Sequence, residues 1–168
     1  MNLKSLILAA AMAALTVMPS FAAELPTPEG RVVLSVSGSI EHENQEGLAQ
    51  FDADMMRGLD WREIETFTSF TSGPQRFAGP TLASLLEAVG ADGAKMNAKA
   101  INDYFVEIPL GHAQAHDVIL AMEMNGERMR IRDKGPIWIV YPLSESEAAK
   151  KPFDTEMIWQ LDRIEVLQ

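Results

Sequence analysis

The chain has 168 residues, a formal net charge of −10 at neutral pH and no cysteine. That length suits one domain able to bury a proper hydrophobic core. The missing cysteine excludes disulfides, thiolate metal sites and thiol nucleophiles together, and the acidic balance disfavours nucleic acid and anionic membrane surfaces as partners.

In chain order, Lys4 and the uncharged run from Ser5 to Met18, rich in Leu, Ile, Val and Ala, form the n-region and h-region of a secretory signal. Ser20 and Ala22 supply small residues at alternate positions, which sets the expected cut after Ala22. The run is shorter than the roughly 20 apolar residues that span a bilayer, and Pro19 ends it. No other segment is long and apolar enough to cross, so the product is expected in the periplasm without a membrane span. The expected organisation is a signal peptide over 1–22, a flexible Pro-rich leader over 23–30 and a single domain over 31–168.

Arg31 to Ser37 reads as a β-branched strand closed by Ser37-Gly38, and residues 39–50 as a polar loop. Asp52 is placed to cap a short helix through Met55, Met56 and Leu59. Trp61 to Phe70 reads as extended, and Gly73 to Gly79 as a turn-rich connection carrying Arg76. Leu82, Leu85, Leu86 and Val89 fall at i, i+3, i+4 and i+7, an amphipathic helix that Gly90 ends. Beyond Ala91 the pattern predicts strands over Ala100–Ile108, Val118–Met124, Glu127–Arg132, Ile137–Tyr141 and Met157–Leu167, with helical turns within 110–116 and 144–150.

Asn125-Gly126 lies between two alternating runs and predicts a hairpin with a two-residue type I′ turn, which needs positive φ at both positions. The implied register sets Met124 against Glu127, Glu123 against Arg128, Met122 against Met129, Ala121 against Arg130 and Ile119 against Arg132. Leu120, Met122, Met124, Met129 and Ile131 then face the core, with Glu123, Arg128, Arg130 and Arg132 on the other face. Arg128, Arg130, Arg132 and Lys134 put four cations at alternate positions in an acidic chain. That points to an anion site, since the guanidinium fork donates two parallel hydrogen bonds to an oxyanion. The alternative is a solvated strand face whose arginines answer acids such as Glu123. Arg132 and Lys134 adjoin the Gly135-Pro136 turn, a position where binding groups gather.

Two metal readings stay open. Met122 opposite Met129 could offer thioethers to Cu(I), although core packing is the commoner use of methionine. His112 and His116, four apart, could begin a zinc site with Asp117, or be surface histidines; there is no HExxH pattern. Nucleophile-elbow, P-loop and dinucleotide fingerprints are absent.

Several segments, read together and in order, resemble the molybdopterin-binding domain of the sulfite oxidase family. They are Phe77-Ala78-Gly79-Pro80 leading into Leu82 to Gly90, then Asn102-Asp103-Tyr104 with Glu107-Ile108-Pro109-Leu110, and Asp117 to Glu127. Gly135 to Pro142 and Ile158 to Val166 complete the series. The resemblance implies an α+β fold of mixed β-sheets with short helices, in which a pterin dithiolene holds molybdenum over a pocket for a small oxyanion or oxide donor. In that family a cysteine thiolate ligates the metal from a Cys-x-Gly-Asn type segment. The matching interval here, Thr66 to Gly79, holds Thr68, Ser69, Thr71 and Ser72 instead. A hydroxyl does not normally ionise for a metal.

Within the matching segments, the resemblance makes Arg76, Asn102, Tyr104, Arg132, Lys134 and Tyr141 the residues able to contact an anionic pterin or oxyanion. The expectation is an exported binding module that keeps the fold, loses molybdenum catalysis and carries no cofactor, its partner a small anionic ligand or a periplasmic protein. Molybdopterin stays open through the resemblance. The alternatives are a molybdopterin-dependent oxidoreductase with an oxygen ligand and a periplasmic copper- or zinc-binding protein.

Overall fold

A computed structural model describes residues 25–168; the expected signal peptide lies outside them. Valine and leucine alternate with serine along β1 (Val32–Gly38), burying Val33, Leu34 and Val36. It pairs antiparallel with β2 (Ala49–Asp52), after which Asp52 caps α1 (Ala53–Arg57) as its sequence position implies. One carboxylate oxygen accepts from the backbone N–H of Asp54 and Met55, the other from Glu29 and Gly30. Those bonds, and one from Asn44 Nδ2 to the Pro26 carbonyl at 2.7 Å, tie the segment expected as leader to the sheet.

β3 (Trp61–Thr66) pairs residue for residue with β4 (Gln75–Pro80), so the stretch expected as a turn-rich connection is a strand. Its glycine serves close packing: a Cβ on Gly79 would come within 2.0 Å of the Leu120 carbonyl oxygen. α2 (Leu82–Ala88) follows, capped by Thr81, with Leu82, Leu85 and Val89 fully buried and Gly90 at φ 58° beyond its end. The expected strand over Ala100–Ile108 is two, β5 (Lys95–Ala100) and β6 (Phe105–Pro109), turning through Asp103 at φ 68°.

α3 (His112–Ala115) leads to β7 (Ile119–Ala121), β8 (Glu123–Met124) and β9 (Glu127–Arg128). Asn125 and Gly126 have φ of 55° and 80°, and Glu123 pairs with Arg128 and Met124 with Glu127, as the hairpin reading requires. The Met129 N–H still reaches the Met122 carbonyl at 2.9 Å. There the predicted ladder ends, because β7 pairs instead with β10 (Trp138–Val140), Ala121 lying opposite Trp138. Strands buried on both faces need apolar residues throughout, which β10 supplies; Arg130 and Arg132 at that place would bury unpaired charge. The chain turns through a 3-10 segment, Ile131–Asp133, and Ile131, expected in the core, is 46% exposed.

α4 (Glu145–Ala148), with a Ser144–Glu147 capping box, precedes β11 (Leu161–Leu167). The strands make a five-stranded sheet in the order β2-β1-β11-β5-β6, a four-stranded sheet β3-β4-β8-β9 and the pair β10-β7. Among the described strands only β1 with β11 is parallel, so the five-stranded sheet is mixed and the other two antiparallel; with the short helices this is the α+β architecture expected.

A polar clamp holds the chain between α4 and β11. The buried Tyr141 hydroxyl donates to Glu156 Oε2 at 2.5 Å, His112 Nδ1 meets the same oxygen at 2.9 Å, and Phe153 stacks on the Tyr141 ring at 4.2 Å. Burial, then the adjacent carboxylate, pushes the Tyr141 phenol well above its ordinary range.

Two predictions follow from these polar anchors. The four backbone donors hold the Asp52 carboxyl below its ordinary 3.8, with Met55 the largest contributor, so its stabilisation is present above that pH and lost as acid protonates it. Asp52→Ala should lower stability by about 1–2 kcal/mol in urea melts at pH 7, with the difference from wild type shrinking toward pH 3. Tyr141, raised from 10.0, stabilises fully below that pH and loses its contribution above it. Tyr141→Phe should cost about 1 kcal/mol at pH 8, and melts at pH 10.5 should show the gap reduced.

Candidate functional site

The six residues singled out by the resemblance do not form one site. Arg76 lies exposed on β4 opposite Glu65, its guanidinium 3.7 Å from Glu63. Arg132 is exposed on the 3-10 turn, 3.8 Å from Asp133. Tyr141 is enclosed in the clamp with Glu156 and His112. Asn102 and Tyr104 do come together, on the β5–β6 turn, where they border a cleft of about 510 Å³ with Phe70, Asp154, Thr155 and Trp159.

Lys134 adjoins this cleft through Trp159. Its backbone is left-handed at φ 75°, and its carbonyl accepts from the Gln160 N–H at 3.1 Å while Gln160 Nε2 donates to the Ile131 carbonyl at 2.8 Å. These bonds lock the turn after β9 against the start of β11. They set the Lys134 ammonium 4.3 Å from the centre of the Trp159 ring, 5.0 Å from Trp138 and 5.9 Å from Phe70. Its charge is met by aromatic faces.

The other predicted cations meet a partner the sequence did not suggest. Arg128 and Arg130 join Arg31 around a groove of about 660 Å³ with Val33, Met129 and Ile131 among its lining. Arg130 Nε donates to Asp133 at 2.7 Å. Among the described residues no carboxylate lies within salt-bridge distance of Arg31 or Arg128, and Asp162 beside them is bound to Arg163 Nε at 3.0 Å. Arg31 reads locally as the first residue of a strand; only the tertiary fold brings it to residues nearly a hundred positions later.

The interval that holds a metal-ligating cysteine in the sulfite oxidase family is built from hydroxyls already engaged. Thr66 Oγ1 donates to the carbonyls of Tyr141 and Leu143 at 3.0 and 3.1 Å and accepts from the Leu143 N–H at 2.6 Å. Thr68 Oγ1 accepts from the Phe70 N–H and bonds Thr71 Oγ1 at 3.0 Å, and Ser69 donates to Asp154 at 2.8 Å. With no thiol in the chain and a carboxylate facing this segment, these residues do not fit a thiolate-ligated molybdenum or an anionic dithiolene. Elsewhere among the described residues no three His, Asp or Glu side chains are grouped to hold a metal ion. His112 and His116 meet edge to face at 4.9 Å, with His112 Nδ1 committed to Glu156, and Met122 and Met129 are packed in the core.

Comparison with known proteins gives the fold its relatives. No curated protein matches the chain. Among solved structures, the sulfane dehydrogenase SoxCD from Paracoccus pantotrophus superposes with a TM-score of 0.60 at 18% identity, a likeness of fold that covers 80% of this chain and 37% of that one. The chain thus spans little more than a third of that relative's length. The model of the oxidoreductase molybdopterin-binding domain matches residues 27–151, most of the chain and every segment that builds the cleft's turn and the arginine groove up to α4. By that match the chain belongs to the oxidoreductase molybdopterin-binding domain family.

Proposed function

We propose that this chain is a binding module exported to the periplasm, in which the family fold is kept and thiolate-held molybdenum catalysis is lost. The groove of Arg31, Arg128 and Arg130 is the observation that carries the reading. In a chain of net charge −10, three guanidinium groups gather beside an apolar lining, and two of them have no carboxylate partner among the described residues. Such a groove suits an oxyanion or carboxylate, free in solution or presented by a periplasmic protein, through bidentate hydrogen bonds. The engaged hydroxyls of Thr66, Thr68 and Ser69 support the loss of the metal, since an oxygen ligand would first have to give up its bonds within the protein.

Metal analysis and oxidative release of fluorescent pterin, on protein purified from the periplasm of a molybdenum-replete host, should find neither in stoichiometric amount. Stoichiometric molybdenum with pterin would establish an oxygen-ligated oxidoreductase instead. For the groove, sulfate should raise the melting temperature of the wild type. Arg128→Glu should abolish that rise, and Arg132→Glu, further from the apolar lining, should reduce it less. An undiminished sulfate effect in folded Arg128→Glu protein would refute the groove.

A further inference from the structure

The cleft beside the β5–β6 turn has a character opposite to that of the arginine groove. Among the described residues Asp154 is the one charged side chain in its lining, and the walls are aromatic: Phe70, Tyr104 and Trp159. Tyr104 is 57% exposed and Trp159 37%, so large ring surfaces face solvent where core packing does not require them. The Asp154 carboxylate accepts one hydrogen bond, from Ser69, and among the described residues it has no Lys, Arg or His within salt-bridge distance. An aromatic face attracts cations through its quadrupole, and a neighbouring carboxylate adds to that attraction.

The protein itself shows that an alkylammonium rests well on this set of rings. Lys134, outside the cleft's lining, holds its ammonium 4.3 Å from the centre of Trp159 and within 5.9 Å of Phe70, the two rings that also form the cleft wall. Among the described residues Lys134 has no carboxylate within salt-bridge distance, so the aromatic faces meet its charge and Asp154 stays available. We infer that the cleft binds a small organic cation, an ammonium bearing apolar substituents, seated between Trp159 and Tyr104 with its charge toward Asp154. The polar part of such a ligand would meet Asn102 and Thr155, which border the same space.

The test is calorimetric titration of the full chain with choline and with its uncharged isostere 3,3-dimethylbutan-1-ol, followed in parallel by tryptophan fluorescence. Choline should bind saturably, and the isostere about tenfold more weakly. Asp154→Asn, which keeps an acceptor for Ser69, should weaken choline binding several-fold, and Lys134→Gln should strengthen it by removing a competing positive charge. Arg128→Glu, in the separate groove, should leave choline affinity unchanged even if the anion reading of that groove fails. Equal affinity for choline and isostere, absence of saturation in protein that melts like wild type, or preferential binding of benzoate weakened by Lys134→Gln would each overturn the inference. Should Asp154→Asn fail to fold, the Lys134→Gln comparison decides alone, because an anion site and a cation site predict opposite signs.

Discussion

The parallel pairing of β1 with β11 is the constraint on which the arrangement of both the groove and the cleft depends, because it inserts the last described strand between β1 and β5. Ser35 lies opposite Arg163, Val36 opposite Ile164 and Gly38 opposite Val166. On its other side β11 pairs with β5, from Ala100 opposite Leu161 to Lys95 opposite Leu167. A parallel pair needs a long crossover connection, and here the intervening chain contains the whole four-stranded sheet and every described helix. The residues just before β11 are thereby fixed against three neighbours: the Gln160 carbonyl accepts from Ile101, its N–H reaches Lys134, and its side chain reaches Ile131. One residue held at φ 56° thus joins the turn bearing Tyr104 to the turn bearing Lys134.

Features written in short-range chemistry could be read from the sequence, and those written in tertiary contact could not. The Asp52 cap, the α2 stripe from Leu82 to Val89 and the Asn125-Gly126 turn each depend on residues within a few positions of one another. The order of family-like segments carried the fold class for a similar reason, since each segment keeps its local pattern. Gly79 misled because glycine signals both turns and close approach. The backbone of Leu120, forty residues away, decides between them. Ile131 and Arg130 were misplaced because alternation alone cannot tell that Trp138 to Val140 would displace them as the partner of β7. Arg31 was invisible as a binding residue because nothing near it in sequence is basic until the fold sets it beside Arg128.

The residues singled out by resemblance are only partly brought together in the fold. Asn102 and Tyr104 converge, whereas Tyr141 is absorbed into a clamp that holds Phe153 and Glu156, and Arg76 pairs with Glu63 on the neighbouring strand of the four-stranded sheet. A buried phenol needs a partner, and Glu156 with His112 supplies one without leaving a charge isolated.

Charge is therefore distributed in a way that net composition hides. The chain is acidic as a whole, yet its cations Arg31, Arg128 and Arg130 gather at one groove, while the neighbouring cleft keeps an unanswered carboxylate among exposed rings. Lys134 lies over the rings of Trp159 and Phe70, which also border the cleft. Had its ammonium paired with Asp154, the cleft would be neutral; because aromatic rings meet its charge instead, the carboxylate is left for something else. A dianionic pterin would meet that carboxylate with repulsion, and the hydroxyls behind it are bonded to the protein. The proposed fit of this cleft to a cation rests on Asp154 and on the aromatic seat of Lys134.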